Sequence, residues 1–110
     1  MILAYFMDQH VRAEITEGLR RRGIEAGAAA WEDERIFERA TELGRVLFSQ
    51  DRHLLGHAHR WLDEGRTFAG LVYGHQLDVS IGRAIDDLEL IARVYEPEEM
   101  RDRVEYLPLS

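Results

Sequence analysis

Three aspartates stand where short apolar runs give way to polar residues. Asp8 follows the run Ile2 to Met7, Asp33 lies in the acidic stretch Glu32-Asp33-Glu34, and Asp51 follows the run Val46 to Ser49. Carboxylates brought together repel one another unless a cation neutralises them. Oxygen donors that leave room for several waters suit Mg²⁺ or Mn²⁺. Such an ion polarises a phosphoryl oxygen, activates water and stabilises a leaving alkoxide. If the three aspartates converge, the chemistry is metal-assisted phosphodiester hydrolysis. Ser49, Gln50 and His53 flank Asp51, and Gly74-His75-Gln76 follows another apolar run. Arg12 and Arg52 lie close enough to these positions to hold phosphates through the bidentate guanidinium fork. Each aspartate also has a plainer reading as a helix cap or first-turn acid, worth about 1 kcal/mol.

The surrounding pattern supplies elements that would position these residues. Ile2 to Met7 is too short for an ordinary helix and reads as a buried strand. Val11, Ile15 and Leu19 recur every four residues, and Gly23 closes that helix behind Arg20, Arg21 and Arg22. Residues 24–30 are rich in Ala and Gly and read as a poor second strand. A helix opens at the acids of 32–34, presents Ile36, Phe37, Ala40 and Leu43, and stops at Gly44. Val46 to Ser49 is a short strand. Leu54, Leu55, Ala58, Trp61 and Leu62 form the next helical face, and Phe68 to Tyr73 the next strand. Ile81, Ala84, Ile85, Leu88, Ile91 and Ala92 keep a helical period, and Val104 to Leu107 reads as an edge strand before Pro108.

This β-α-β-α-β-α-β-α-β order predicts one α/β domain over 1–110 with a mostly parallel sheet of four to five strands, helices on both faces and right-handed crossovers. In such folds ligands bind at the carboxyl ends of the strands, where Asp8, Ser49, Asp51 and Gly74 to Gln76 would fall.

Composition narrows the chemistry. All 14 basic residues are arginine. Without lysine there is no Schiff-base chemistry and no Walker A phosphate loop. Without cysteine there is no disulfide and no thiolate zinc site. The start MILAYFMD has no charged n-region and meets an aspartate early, so neither a signal peptide nor a membrane span is expected, and the chain reads as cytoplasmic. The net charge is −7. Residues 86–110 hold eight acids against three bases, so most of that excess lies in the last quarter. Overall acidity therefore does not exclude a nucleic-acid substrate.

Taken together, MILAYFMDQHV, WEDERIFERATELGRVLFSQDRHLL and FAGLVYGHQ resemble the small PIN-like predicted nucleases of bacteria, which are described as toxin components of toxin–antitoxin pairs. The resemblance spans essentially the whole chain. It implies a PIN-like three-layer α/β/α sandwich and a metal-dependent ribonuclease. Asp8, Asp33 and Asp51 match the family's acidic metal ligands. Ser49 stands where threonine is usual, and its hydroxyl would orient the first aspartate or a water. His53 replaces the last aspartate of the family's Thr-x-Asp-x-Asp motif, and Leu54 replaces a phenylalanine. The segment between Gly23 and Asp33 is also shorter than the family's, which suggests a remodelled crevice rim. A neutral histidine ligates Mn²⁺ but is a poor Mg²⁺ ligand.

The resemblance also implies a homodimer, an RNA substrate whose phosphates Arg12, Arg52 or Arg83 would hold, and a helix-turn-helix antitoxin partner. His75 and Gln76 match a stretch common in this subgroup and are candidate substrate contacts. A degenerate, non-catalytic module that binds a partner protein is the competing reading. A receiver-like phosphorylation switch has a similar layout, but that family's lysine and paired acids are missing here. His53, His57 and His59 lie close in sequence, and no third ligand is spaced as in a known metal motif. They read as solvated or interface histidines. Trp31 and Trp61 read as core or subunit contacts, and Arg20 to Arg22 as a solvated helix end.

Overall fold

The computed structural model describes residues 2–109. Along them run β1 (Tyr5–Met7), α1 (Ala13–Arg21), β2 (Ala26–Ala28), α2 (Asp33–Leu43), β3 (Val46–Ser49), α3 (His53–Asp63), β4 (Leu71–Tyr73), α4 (Ile81–Val94), α5 (Pro97–Met100) and β5 (Val104–Tyr106). The strands form one all-parallel sheet in the order β2-β1-β3-β4-β5. Helices cover both faces, giving a three-layer α/β/α sandwich.

Alternation along each strand divides the core in two. Tyr5, Met7, Val46, Phe48 and Val72 point to the side of α1 and α4, where they meet Ile15, Leu19, Ala84 and Leu88. Phe6, Leu47 and Leu71 point to the side of α2 and α3, where they meet Ile36, Phe37, Leu54 and Trp61. A period of two in the strands and near four in the helices is what this sorting requires. The buried Tyr5 hydroxyl reaches across to donate to the Leu88 carbonyl at 2.6 Å.

Several boundaries depart from the pattern in the sequence. Ile2 to Ala4 are apolar but lie outside β1, and the Leu3 amide donates to Ala92 at the end of α4. The strand expected from Phe68 begins only at Leu71. Phe68 exchanges hydrogen bonds with Asp102 and packs its ring 5.2 Å from Phe37. Gly70 takes φ 125°, and a Cβ there would lie 2.7 Å from the Met100 carbonyl oxygen. That approach admits only glycine. The short helix α5 was not apparent in the pattern. Beta-2 is the sequence Ala-Gly-Ala, a poor strand former that is held in register by β1, with Tyr5 opposite Ala26.

The connections do not all share one hand. The steps β1 to β2 and β4 to β5 run in opposite directions across the sheet, yet α1 and α4 lie on the same face. Those two crossovers therefore have opposite hands, and the expectation of uniformly right-handed crossovers fails. The right-handed rule reflects a helix packing directly back beside its strands. Alpha-4 instead packs against α1 and β1, and the chain returns to β5 through α5.

The order of strands also reverses between β1 and β3. Beta-2 lies on one side of β1 and β3 on the other, so a crevice opens outside the carboxyl ends of β1 and β3. Asp8 follows the first of these strands and Ser49 ends the second.

Candidate metal centre

Asp8 is held by its backbone before its side chain does anything. Its amide donates to Phe48 at 3.1 Å, and its carbonyl accepts from Val11 at 3.0 Å. The side chain is only 2% exposed. Its Oδ2 accepts a 2.9 Å hydrogen bond from the Ser49 hydroxyl, while Oδ1 is buried with no hydrogen-bond partner among the described residues. An unpartnered buried carboxylate oxygen is costly unless a cation or donor meets it.

Ser49 ties the first aspartate to the third. Its Oγ also accepts from the Asp51 amide at 2.9 Å. The turn is braced from the other side, because the buried Gln50 accepts from the Arg12 amide at 3.1 Å and joins the loops after β1 and β3. Asp51 Oδ1 accepts from the His53 amide at 3.0 Å, so this carboxylate also caps the start of α3. Its plainer role and its candidate ligand role coexist. Asp33 is a first-turn acid of α2, whose N-cap residue, Glu32, makes no side-chain capping bond.

Donor atoms of Asp33, Asp51 and His53 lie within 4.8 Å of one another. The three aspartates thus converge in part. Asp8 is outside that tight group, but its charge acts on Asp33. Burial raises the Asp33 pKa, Asp51 and Asp8 raise it further, and His57 opposes them. Burial is the larger cause, and the smaller contributions of Asp51 and Asp8 reflect carboxylates gathered at one place. These residues could hold a divalent ion. The set of two carboxylates, one imidazole and a nearby buried carboxylate oxygen fits such an ion chemically.

Histidines surround the group more closely than their sequence spacing suggested. His53 Nδ1 lies 3.0 Å from Asp51 Oδ1, and His10 Nε2 lies 3.8 Å from Asp51 Oδ2. His57 is neither solvated nor free. Its Nε2 is 3.7 Å from Asp33 Oδ2 and its Nδ1 is 3.0 Å from Glu34 Oε2. Burial would raise the Glu34 pKa, but hydrogen bonds from His57, Trp61 and Arg66 outweigh it and hold the carboxyl below its usual range. The reading of His57 as a solvated residue is corrected accordingly. The i, i+4 spacing of His53 and His57 was the available sequence signal for the histidines, and Gln50 stood out only by its place beside Asp51; nothing in the sequence pointed to His10 or to a contact between Glu34 and His57.

The other candidate residues lie around this centre. Arg12 is exposed, with its guanidinium 3.9 Å from Glu14. Arg52 is exposed immediately before α3. His75 and Gln76 occupy the turn after β4, where His75 Nδ1 accepts from the Leu77 amide at 3.1 Å, and the preceding Gly74 amide donates to Ser49 at 3.1 Å. Neither His75 nor Gln76 is in the carboxylate group. Arg83 is engaged elsewhere, by Asp87 and the Leu109 carbonyl. Trp61 is core, 4.7 Å from the Phe37 ring, and Trp31 packs 6.3 Å from Phe6. At the end of α1, Arg20 donates to the Ala26 carbonyl and Arg22 pairs with Asp86 and Glu89.

Beside Asp8 a cleft of about 400 Å³ runs between α1 and residues 28–30, bordered by Val11, Thr16 and Arg20. Comparison with protein-family models, curated proteins and solved structures gives no match. The case for a function is therefore carried by the carboxylates themselves.

Proposed function

We propose that this chain is a metal-dependent ribonuclease of PIN-like type, the toxin of a toxin–antitoxin pair acting in the cytoplasm. The observation that carries the reading is the Asp33, Asp51 and His53 group at the strand-order reversal, next to the unpartnered Oδ1 of buried Asp8. Asp33, Asp51 and His53 would hold Mg²⁺ or Mn²⁺, with Asp8 adding negative charge nearby. When bound, the ion would supply Lewis-acid stabilisation of the phosphodiester being cut. Ser49 fixes Asp8 and the Asp51 backbone. Arg12 and Arg52, both exposed near the crevice, would take flanking phosphates, and His75 and Gln76 would line the far side of the substrate path. Among the described residues no helix is long and apolar enough to cross a membrane. A homodimer and a helix-turn-helix antitoxin complete the proposal.

The test is cleavage of RNA with Mg²⁺ and with Mn²⁺ by the parent, Asp8→Asn and Asp51→Asn. Activity is expected to fall by at least about a hundredfold in both variants, in line with the loss of a group that stabilises transition-state charge. Variants that cut as well as the parent would remove the assignment. One observation favours a second reading, a non-catalytic module that binds a partner protein. His53, which replaces the family's last aspartate, has a side chain 80% exposed. Absence of divalent-ion binding at millimolar concentration would select that module.

A further inference from the structure

Most aromatic side chains of this chain are engaged within the fold. The four phenylalanines, Tyr5 and Trp61 are buried. Trp31 packs against Phe6, and the Arg35 guanidinium covers its ring at 4.5 Å. Tyr95 packs against the core, donates its hydroxyl to Glu105 at 3.3 Å and carries the Arg103 guanidinium 5.1 Å from its ring centre. Tyr73 and Tyr106 are the two aromatic residues that remain.

Strand register places them. Ser49 lies opposite Tyr73, and Tyr73 lies opposite Tyr106. In a parallel sheet, residues in register share a face, as do residues two apart along one strand. Leu47, Leu71 and Val104, two residues earlier, all belong to the core beneath α2 and α3. Ser49, Tyr73 and Tyr106 therefore form one row on that face, at the carboxyl ends of β3, β4 and β5. The row starts at the hydroxyl that binds Asp8 and the Asp51 amide. Strands lie about 4.8 Å apart, so Tyr106 stands roughly 10 Å from Ser49 along the row. Strand β5 is the edge of the sheet, and Tyr106 is half exposed there. The two tyrosine rings meet edge-on, with centres 6.1 Å apart and planes at 80°. An edge-on pair braces both rings and leaves at least one face of each uncovered by the other.

An aromatic row that begins at the carboxylate centre borders the path of a strand held there. Nucleobases stack on such rings whatever their sequence, because every base has a π face. Stacking needs a base free of its pairing partner, which a duplex does not offer. Exposed Arg52 lies next to Asp51 at the same end of the sheet and leaves the phosphates a contact of their own. We propose that Tyr73 and Tyr106 form a stacking platform for a nucleobase of single-stranded RNA beside the carboxylate centre. The identity of the strand rests on the ribonuclease reading. The platform adds that the RNA is unpaired next to the position being cut.

The test is fluorescence anisotropy of a labelled oligouridylate with the full chain, at low salt and in chelator so that nothing is cut. A second strand carrying the fluorescent base aminopurine reports stacking by loss of its emission. Tyr106→Ala should lose one stacked base, about 5–150-fold in affinity, and restore the aminopurine emission. Tyr106→Phe should behave as the parent, and Tyr106→Trp should bind as tightly or more tightly, which a merely structural tyrosine would not produce. Leu90→Ala, exposed on α4 across the sheet, should change nothing. Duplex RNA should not distinguish Tyr106→Ala from the parent. If Tyr106→Ala folds poorly, the tryptophan variant and the aminopurine signal still report. Parental strand affinity in Tyr106→Ala overturns the proposal and is the result expected of a surface that binds a protein instead. Failure of the parent to bind the strand, or an equal loss on duplex RNA, also overturns it. Cleavage is scored separately. Tyr106-dependent stacking with no cleavage under Mg²⁺ or Mn²⁺ leaves the platform standing and removes the ribonuclease. Cleavage that is indifferent to Tyr106→Ala does the reverse.

Discussion

Replacing Ser49 with alanine should damage this protein out of proportion to the one oxygen removed. Ser49 is fully buried, and its hydroxyl both donates to Asp8 Oδ2 at 2.9 Å and accepts from the Asp51 amide at 2.9 Å. A hydrogen bond to a charged group contributes about 1.5–3 kcal/mol. Its loss here is at the upper end, because the other Asp8 oxygen already lacks a partner and the carboxylate would be left bare. The Asp51 amide is only partly buried, so water recovers some of its bond, and about 1 kcal/mol is the most it adds. The total is about 2–4 kcal/mol. At about 4–5 °C per kcal/mol for a domain near this size, Ser49→Ala should lower Tm by roughly 10–20 °C. Urea unfolding at pH 7 measures it, with the slope m expected to stay constant. A double-mutant cycle with Asp8→Asn isolates the pair, and a coupling of about 1–2 kcal/mol is expected. A loss below about 0.5 kcal/mol, or additive single substitutions, would refute the argument that Ser49 holds the buried carboxylate in place.

Other consequences are equally specific. Gly70→Ala should cost about 2 kcal/mol or more, since φ 125° and a Cβ 2.7 Å from the Met100 carbonyl oxygen cannot both be relaxed; an unchanged Tm would contradict it. Phe37→Ala, which empties the space between Trp61 and Phe68, should cost about 3–5 kcal/mol in chemical denaturation. The two acids at the start of α2 should respond to pH with opposite signs. Glu34, held below its ordinary 4.5, contributes stability that is lost as pH falls below that value, and Glu34→Gln should flatten the acid limb. The effect is under about 1 kcal/mol because the side chain is partly solvated. Asp33, held above 3.8, penalises the folded protein as pH rises through that value and beyond, so Asp33→Asn should raise the urea midpoint at neutral pH without added metal. Divalent ion at about a hundredfold over its Kd should add about 2.7 kcal/mol of stability, and Asp51→Asn should abolish that gain.

Much of the architecture was legible from local spacing, and the misreadings share a cause. Val46 to Ser49 is bounded by Gly44 behind and by the Ser49 turn ahead, so pattern and strand coincide. Ile2 to Ala4 and Phe68 to Gly70 are as apolar as strands, but Leu3 and Phe68 take as backbone partners Ala92 and Asp102, which lie outside the sheet. Beta-2 shows the converse, with weak local preference overridden by pairing with β1. The hand of the crossover to β5 depends on the contact between α4 and α1, which no local window contains. At the candidate site, Asp8, Ser49 and Asp51 were visible because each sits at or next to a strand end. The environment of His57 was not, because Glu34 and Trp61 reach it only when α2 and α3 pack on one face.

By itself the sequence determined the inventory and the local order: no lysine or cysteine chemistry, alternating strands and helices, and acids at the ends of apolar runs. These depend on composition and on periods of two and near four, which a few consecutive residues express. Only the tertiary structure decided which of those acids meet. Strand β2 takes the outer side of β1, so α2 returns across the sheet to the face that α3 also occupies. That return sets Asp33 beside Asp51 and His57, and turns separate acids and histidines into one group of donors. Burial and mutual repulsion exist only once the chain has brought them together.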